Sequence, residues 1–167
     1  MIFRRQEQGV DPELARKVEE LKQRDQVTGL FNRPTFLRAL EDAVADAAQN
    51  EGHHGLLLIE PDHFQRLVQE IGLEAADGTL AAIAERLSSE LPANTMAARF
   101  SETSFAVLLR GADSGATEQL ATRIRNTFAA EVFTIGARSS VITASIGGVQ
   151  ISEKIASVNQ VLAKAAQ

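Results

Sequence analysis

At 167 residues, 44% hydrophobic and 23% charged, the chain can build one domain with a real core and is neither disordered nor membrane-like in composition. It has no Cys, which excludes disulfides and thiolate metal sites. It also lacks Trp and Tyr, so Leu, Ile, Val, Ala and Phe must fill the core. The net charge of −5, with no Lys/Arg run, argues against a nucleic-acid partner, and no apolar stretch approaches the roughly 20 residues that span a bilayer. Met1-Ile2-Phe3-Arg4-Arg5 lacks the apolar run and cleavage site of a signal peptide, so a cytoplasmic location is expected.

Asp11-Pro12-Glu13 is a helix start: an Asp N-cap, Pro at the first helical position and a carboxylate near the positive helix end. The helix that follows is apolar at Leu14, Val18 and Leu21, a stripe narrow enough for the seam of a two-helix contact. A plain surface helix is the alternative. Pro34 to Gln49 reads helical, with Phe36, Leu37, Leu40, Val44 and Ala47 on one side. The adjacent His53 and His54, beside Glu51, read as a solvated loop and not as metal ligands. Gly55-Leu56-Leu57-Leu58-Ile59 predicts a strand covered on both faces. Asp62 to Ile71 and Glu74 to Leu91 follow as helices, and Pro92-Ala93-Asn94 ends the second. Thr95 to Arg99 and Phe105 to Leu109 predict a hairpin with a four- to five-residue turn. Then come a helix over Ala116 to Ala130, a strand over Val132 to Ile135, a longer strand over Val141 to Val149 and a helix over Glu153 to Ala165. The sum is an α+β fold: a mixed, mostly antiparallel sheet with helices packed on it, around a ferredoxin-like core.

Two motifs carry a resemblance. Asp25-Gln26-Val27-Thr28-Gly29-Leu30-Phe31-Asn32-Arg33 is similar to D-x-L-T-G-L-x-N-R, and Arg99-Phe100-Ser101-Glu102-Thr103-Ser104-Phe105 stands in place of R-[YF]-G-G-[DE]-E-F. The chain thereby resembles the GGDEF family of diguanylate cyclases over about 140 residues, with a nucleotidyl-cyclase-like palm. The division this implies is a linker or signalling helix over 1–24 and a degenerate GGDEF domain over 25–167.

The resemblance implies a reaction in which a 3′-hydroxyl attacks an α-phosphate in line, helped by metal ions that neutralise phosphate charge. In the family one metal carboxylate ends the first strand, within D-x-D, and another is the third residue of the turn. Here Glu60-Pro61-Asp62 stands for D-x-D, leaving Glu60 and Asp62 as vestigial metal positions. Thr103 supplies no carboxylate, Ser101 and Glu102 replace both glycines, Ser104 replaces the fourth-position acid, and Phe105 alone matches. Of the guanine-side pattern, Val68 stands for Asn, Leu73 for His and Gln65 for Lys, and only Asp77 matches. The inhibitory R-x-x-D falls on Pro92-Ala93-Asn94-Thr95, with both charged ends missing at Pro92 and Thr95. The C-terminal Lys and Arg of the family have no counterpart around Ala166. Gly147-Gly148 resembles the end of the family's last long strand and reads as a bend or a close helix approach.

The expectation is a catalytically inactive, cofactor-free regulatory domain of cyclic di-GMP signalling. It would couple a PAS-like sensor to an EAL-like domain and pair through Leu14, Val18 and Leu21. The likeness is greatest to PAS-GGDEF-EAL regulators of type IV pili and twitching motility. An allosteric GTP-sensing domain is the alternative, and a residual diguanylate cyclase the third reading.

Overall fold

Four helices begin where a short polar side chain takes up a backbone N–H that the first turn leaves unpaired. Asp11 accepts from Glu13 at 3.0 Å, Asn32 from Thr35 at 3.0 Å, Asp113 from Ala116 at 2.8 Å and Ser157 from Gln160 at 3.2 Å. The computed structural model describes residues 9, 11–135, 138–155 and 157–166. Most of the 1–10 segment read as the start of the linker, including Met1-Ile2-Phe3-Arg4-Arg5, lies outside the described residues.

The element order is α1 (Pro12–Lys22), α2 (Arg33–Asn50), β1 (His54–Pro61), α3 (Phe64–Ile71), α4 (Leu73–Ser89), β2 (Thr95–Ser101), β3 (Ser104–Arg110), α5 (Ser114–Ala130), β4 (Val132–Ile135), β5 (Arg138–Val141), β6 (Ala144–Ile151) and α6 (Val158–Ala165). A four-stranded antiparallel sheet runs β2-β3-β1-β6, and β4 and β5 form a separate hairpin. This is the α+β, ferredoxin-like architecture expected from the sequence. Leu57 lies opposite Val107 on one side and Gly148 on the other.

Alternation along β1 splits its apolar run between two cores. Leu57 and Ile59 join Phe105, Val107, Leu80, Ile83, Ile124 and Phe128 under α4 and α5. Leu56 joins Leu108, Phe36, Leu40, Ile151 and Val161 under α2 and α6. Both faces are covered, which is why the strand reads as a continuous apolar run.

Several boundaries differ from the sequence reading. The predicted Val141–Val149 strand is broken: Val141 ends β5, and β6 starts at Ala144 and runs on to Ile151. The break marks a change of partner: β5 pairs with β4, whereas the Asp62 N–H donates to the Thr143 carbonyl at 2.8 Å in continuation of the β1–β6 register. The hairpin turn is shorter than predicted: Ser101 pairs with Ser104, leaving only Glu102 and Thr103 at the tip. The last helix starts at Val158, capped by Ser157, and not at Glu153, because Ile155 turns into the core first.

His54 is not a solvated loop residue. It is buried on β1, its Nε2 lies 2.7 Å from Asp46 Oδ2, and its Nδ1 accepts the Gly111 N–H at 3.0 Å. His53 is exposed, as expected. Gly147 is a close-approach site: an added Cβ would overlap the Ala165 carbonyl of α6. Among the described residues no helix is long and apolar enough to cross a membrane.

Candidate functional site

The Asp25-to-Asn32 segment is a folded clasp. Asp25 accepts from the Thr28 N–H at 2.9 Å and the Thr28 hydroxyl at 2.8 Å, and Gly29 takes φ +74°. Phe31 lies along β2, donating to the Ala97 carbonyl at 3.2 Å and accepting from the Arg99 N–H at 2.9 Å. Arg99 then ties the clasp to the hairpin tip, through Asp25 Oδ1 at 3.3 Å and the Glu102 carbonyl at 2.9 Å. Partial burial works against the charge on Asp25, yet the Thr28 hydrogen bonds and the Arg99 guanidinium outweigh it and hold the carboxyl below its ordinary value. This linkage is not visible in sequence spacing, because Asp25 and Arg99 lie 74 residues apart in the chain.

The clasp also receives α1. Asn32 donates to the Lys22 carbonyl at 2.6 Å through Nδ2, and its N–H donates to the Gln23 carbonyl at 2.8 Å. The end of α1 is thus fixed to the segment that holds Arg99. No residue of α1 is buried, and Leu14, Val18 and Leu21 are 57%, 42% and 59% exposed.

At the hairpin tip the Ser101 and Ser104 hydroxyls lie 2.5 Å apart, and Ser101 Oγ accepts the Thr103 N–H at 3.3 Å. Neither Glu102 nor Thr103 has positive φ. The tip therefore closes without glycine, and its side chains change what can approach it, not its backbone.

A groove of about 730 Å³ runs beside the tip. It brings together Asp77, Val68, Leu73, Gln65 and Thr103, residues from α3, α4 and the hairpin, with Phe64 and Leu80 in its floor. Asp77 is half-buried there, and among the described residues it has no hydrogen-bond or ion-pair partner. Leu73 is 73% exposed at the groove's edge. A smaller cavity of about 210 Å³ holds Glu60, Asp62, His63 and Thr103. His63 enters α3 with φ 59°, an uncommon conformation for a residue with a Cβ. Ala165 and Ala166 lie with Glu60, Ser101 and Ser104 around a third cavity. Pro92 and Thr95 sit away from both, at the start of β2, where Thr95 Oγ1 donates to the Pro92 carbonyl at 2.6 Å.

Asp62 is engaged from the opposite edge of the sheet. Its oxygens accept from the Ser145 and Thr143 hydroxyls, both at 2.6 Å. Those two hydroxyls hold its carboxyl below the usual range, against a weaker opposing effect of burial and with His63 nearby. A folded-state value below the unfolded one stabilises the fold above the unfolded carboxylate pKa of about 3.9, and this contribution is lost as pH falls through the folded value. A Thr143→Val/Ser145→Ala variant is therefore expected to be less stable than the parent at pH 7, and the gap should close below the Asp62 titration. A gap that persists unchanged in acid denaturation would contradict the assignment.

The comparisons agree with this geometry. The sequence pattern of the family described as "Diguanylate cyclase, GGDEF domain" matches residues 22–167. The chain is similar to the diguanylate cyclase DgcP of Pseudomonas aeruginosa, 35% identical over 123 residues, which is 74% of this chain and 18% of that protein. It is also similar to the response regulator PleD of Caulobacter vibrioides, 30% identical over 130 residues, 77% of this chain and 29% of that protein. The chain thus spans less than a third of either relative. Among solved structures, the FimX GGDEF domain of Pseudomonas aeruginosa superposes with a TM-score of 0.83 at 28% identity, covering 86% of this chain and 89% of that one. With its clasp, hairpin and groove in place and the family pattern matched over 22–167, the chain belongs to the GGDEF family, the diguanylate cyclase domains of cyclic di-GMP signalling.

Proposed function

We propose that this GGDEF domain is catalytically silent and acts as a regulatory scaffold, passing movements of α1 to the rest of a longer signalling protein. The observation that carries the reading is the composition of the cavity between β1 and the hairpin tip. The Mg²⁺ ions of the family need a pair of carboxylates there in near-octahedral geometry. Glu60 is one methylene longer than the family's Asp, Asp62 is held by two hydroxyls, and Thr103 has no carboxylate to give. Among the described residues no three His, Cys, Asp or Glu side chains cluster as a metal site. This donor set does not fit the family's metal pair. Glu102 adds negative charge where phosphates would approach, worth about a kcal/mol of repulsion at contact in water and more when desolvated.

The scaffold reading places a PAS-like sensor before α1 and an EAL-like domain after α6, with pairing through Leu14, Val18 and Leu21. The family's inhibitory product site is absent from it, since Pro92 and Thr95 carry neither the guanidinium that pairs bidentately with phosphate nor the carboxylate of R-x-x-D. Control of type IV pili and twitching motility belongs to the same reading.

A second reading, allosteric GTP sensing, is favoured by one observation: unpartnered Asp77 lining an open groove. Calorimetric titration separates the two. GTP, with and without Mg²⁺, and cyclic di-GMP are expected to give no binding, because Val68, Leu73 and Gln65 offer the base and phosphates none of the family's polar contacts. A low-micromolar dissociation constant for GTP, roughly −8 kcal/mol, that is lost in Asp77→Ala would establish the sensor reading instead.

A further inference from the structure

The two edges of the main sheet are protected differently. Phe31 hydrogen-bonds along β2 and covers part of that edge. On the other side, among the described residues, no strand pairs with the outer edge of β6. β6 is eight residues long, Ala-Ser-Ile-Gly-Gly-Val-Gln-Ile, with no charge and no Pro. Natural edge strands are usually kept single by Lys, Pro, bulges or short length, and β6 has no such charge or Pro and is not short.

One face of α5 overhangs this edge. Ser114, Glu118, Ala121, Thr122 and Arg125 border a cleft of about 430 Å³ whose other wall includes Ile146, Gly148 and Gln150 of β6. Glu118 and Arg125 are exposed, and among the described residues neither forms an ion pair. They stand two helical turns apart on the same face, on either side of the small Ala121 and Thr122. Gln150 Nε2 donates to the Ala112 carbonyl at 2.9 Å, while its Oε1 is buried without a donor.

We infer that the β6 edge with the overhanging α5 face is a self-association surface, and that its occupant is the β6 edge of a second copy of this chain. A two-fold axis perpendicular to the sheet sets the two β6 strands antiparallel, joining two four-stranded sheets into one. The same axis lays the two α5 helices side by side and antiparallel, on one face of the joined sheet. Glu118 then meets the partner's Arg125, and Arg125 meets the opposite carboxylate, while Ala121 and Thr122 at the centre let the helices approach. The charge pattern is self-complementary about that axis, which favours a second copy over an unrelated extended peptide.

The test uses the 167-residue chain carrying Leu14→Asp and Leu21→Asp, so that pairing through α1 is disabled and the result is independent of the scaffold reading. Sedimentation equilibrium from about 10 μM to 1 mM is expected to show a monomer–dimer equilibrium that weakens with added salt. Glu118→Arg sets like charges opposite each other twice per dimer and should weaken association about tenfold. Glu118→Arg with Arg125→Glu should restore it, because the pair is re-formed with its sign reversed. Both positions are exposed, so circular dichroism of the variants should match the parent. Hydrogen exchange should show β6 amides protected as concentration rises. A chain that stays monomeric throughout, a dimer indifferent to Glu118→Arg, or a monomer that captures an extended peptide along β6 would each overturn the assignment.

Discussion

Replacing Leu14 and Leu21 together by Asp is expected to leave the fold of residues 25–165 intact while abolishing pairing through α1 and signal coupling in the full-length protein. No α1 side chain is buried, so the substitution removes nothing from either core, and the stability change should stay within about 0.5 kcal/mol. Pairing should suffer far more. Burying a Leu is worth about 1.5–3 kcal/mol, and two such side chains per protomer are turned into desolvated carboxylates, so association should fall at least about a hundredfold. An 11-residue helix is marginal without packing, which makes its seam dependent on those contacts. The Asn32 bonds to Lys22 and Gln23 and the Asp25–Arg99–Glu102 chain give a displacement of α1 a physical route to the hairpin tip. Sedimentation and signalling output of the full-length double variant are the measurements. Wild-type behaviour in both would reduce α1 to a surface helix.

Rebuilding the turn alone is expected to leave the domain without cyclase activity. Ser101→Gly, Glu102→Gly, Thr103→Asp and Ser104→Glu restore the third-position carboxylate and remove the side chains at the tip. The groove beside it keeps Val68 and Leu73, whose side chains have no hydrogen-bonding group, and Gln65, which is uncharged where the family has Lys. Glu60 and the doubly bonded Asp62 remain as they are. Groups that act as a unit fail as a unit, so four corrected residues recover little. Cyclic di-GMP formation by this variant at a rate well above the parent would show that the turn alone was limiting.

Local chemistry made much of the architecture readable from the sequence. Asp11-Pro12 starts α1 where its own cap dictates, and the apolar run of β1 announced a strand buried on both faces. Where the reading missed, the deciding partner lay far along the chain. Ile142 and Thr143 continue a β-prone run, and the break falls where the chain passes from pairing with β4 to pairing with β1. His54 looks like a loop residue until Asp46 and Gly111 close around its ring. Phe100 and Ser101 extend the strand beyond the expected turn because the register shifts between Arg99 and Ser101. The site divides in the same way. Asp77, Val68, Leu73 and Thr103 could be gathered from the family's spacing, and the fold does bring them into one groove. The Asp25–Arg99 link and the capture of Asp62 by Thr143 and Ser145 could not be, since each joins segments more than 70 residues apart.

The claim that this GGDEF frame has lost its chemistry is tested most directly by product formation. The 167-residue chain, incubated with GTP and either Mg²⁺ or Mn²⁺ through a long chromatographic assay, should yield cyclic di-GMP no higher than a control without protein. Product that accumulates with time and protein concentration, and that disappears on Glu60→Gln, would contradict the account.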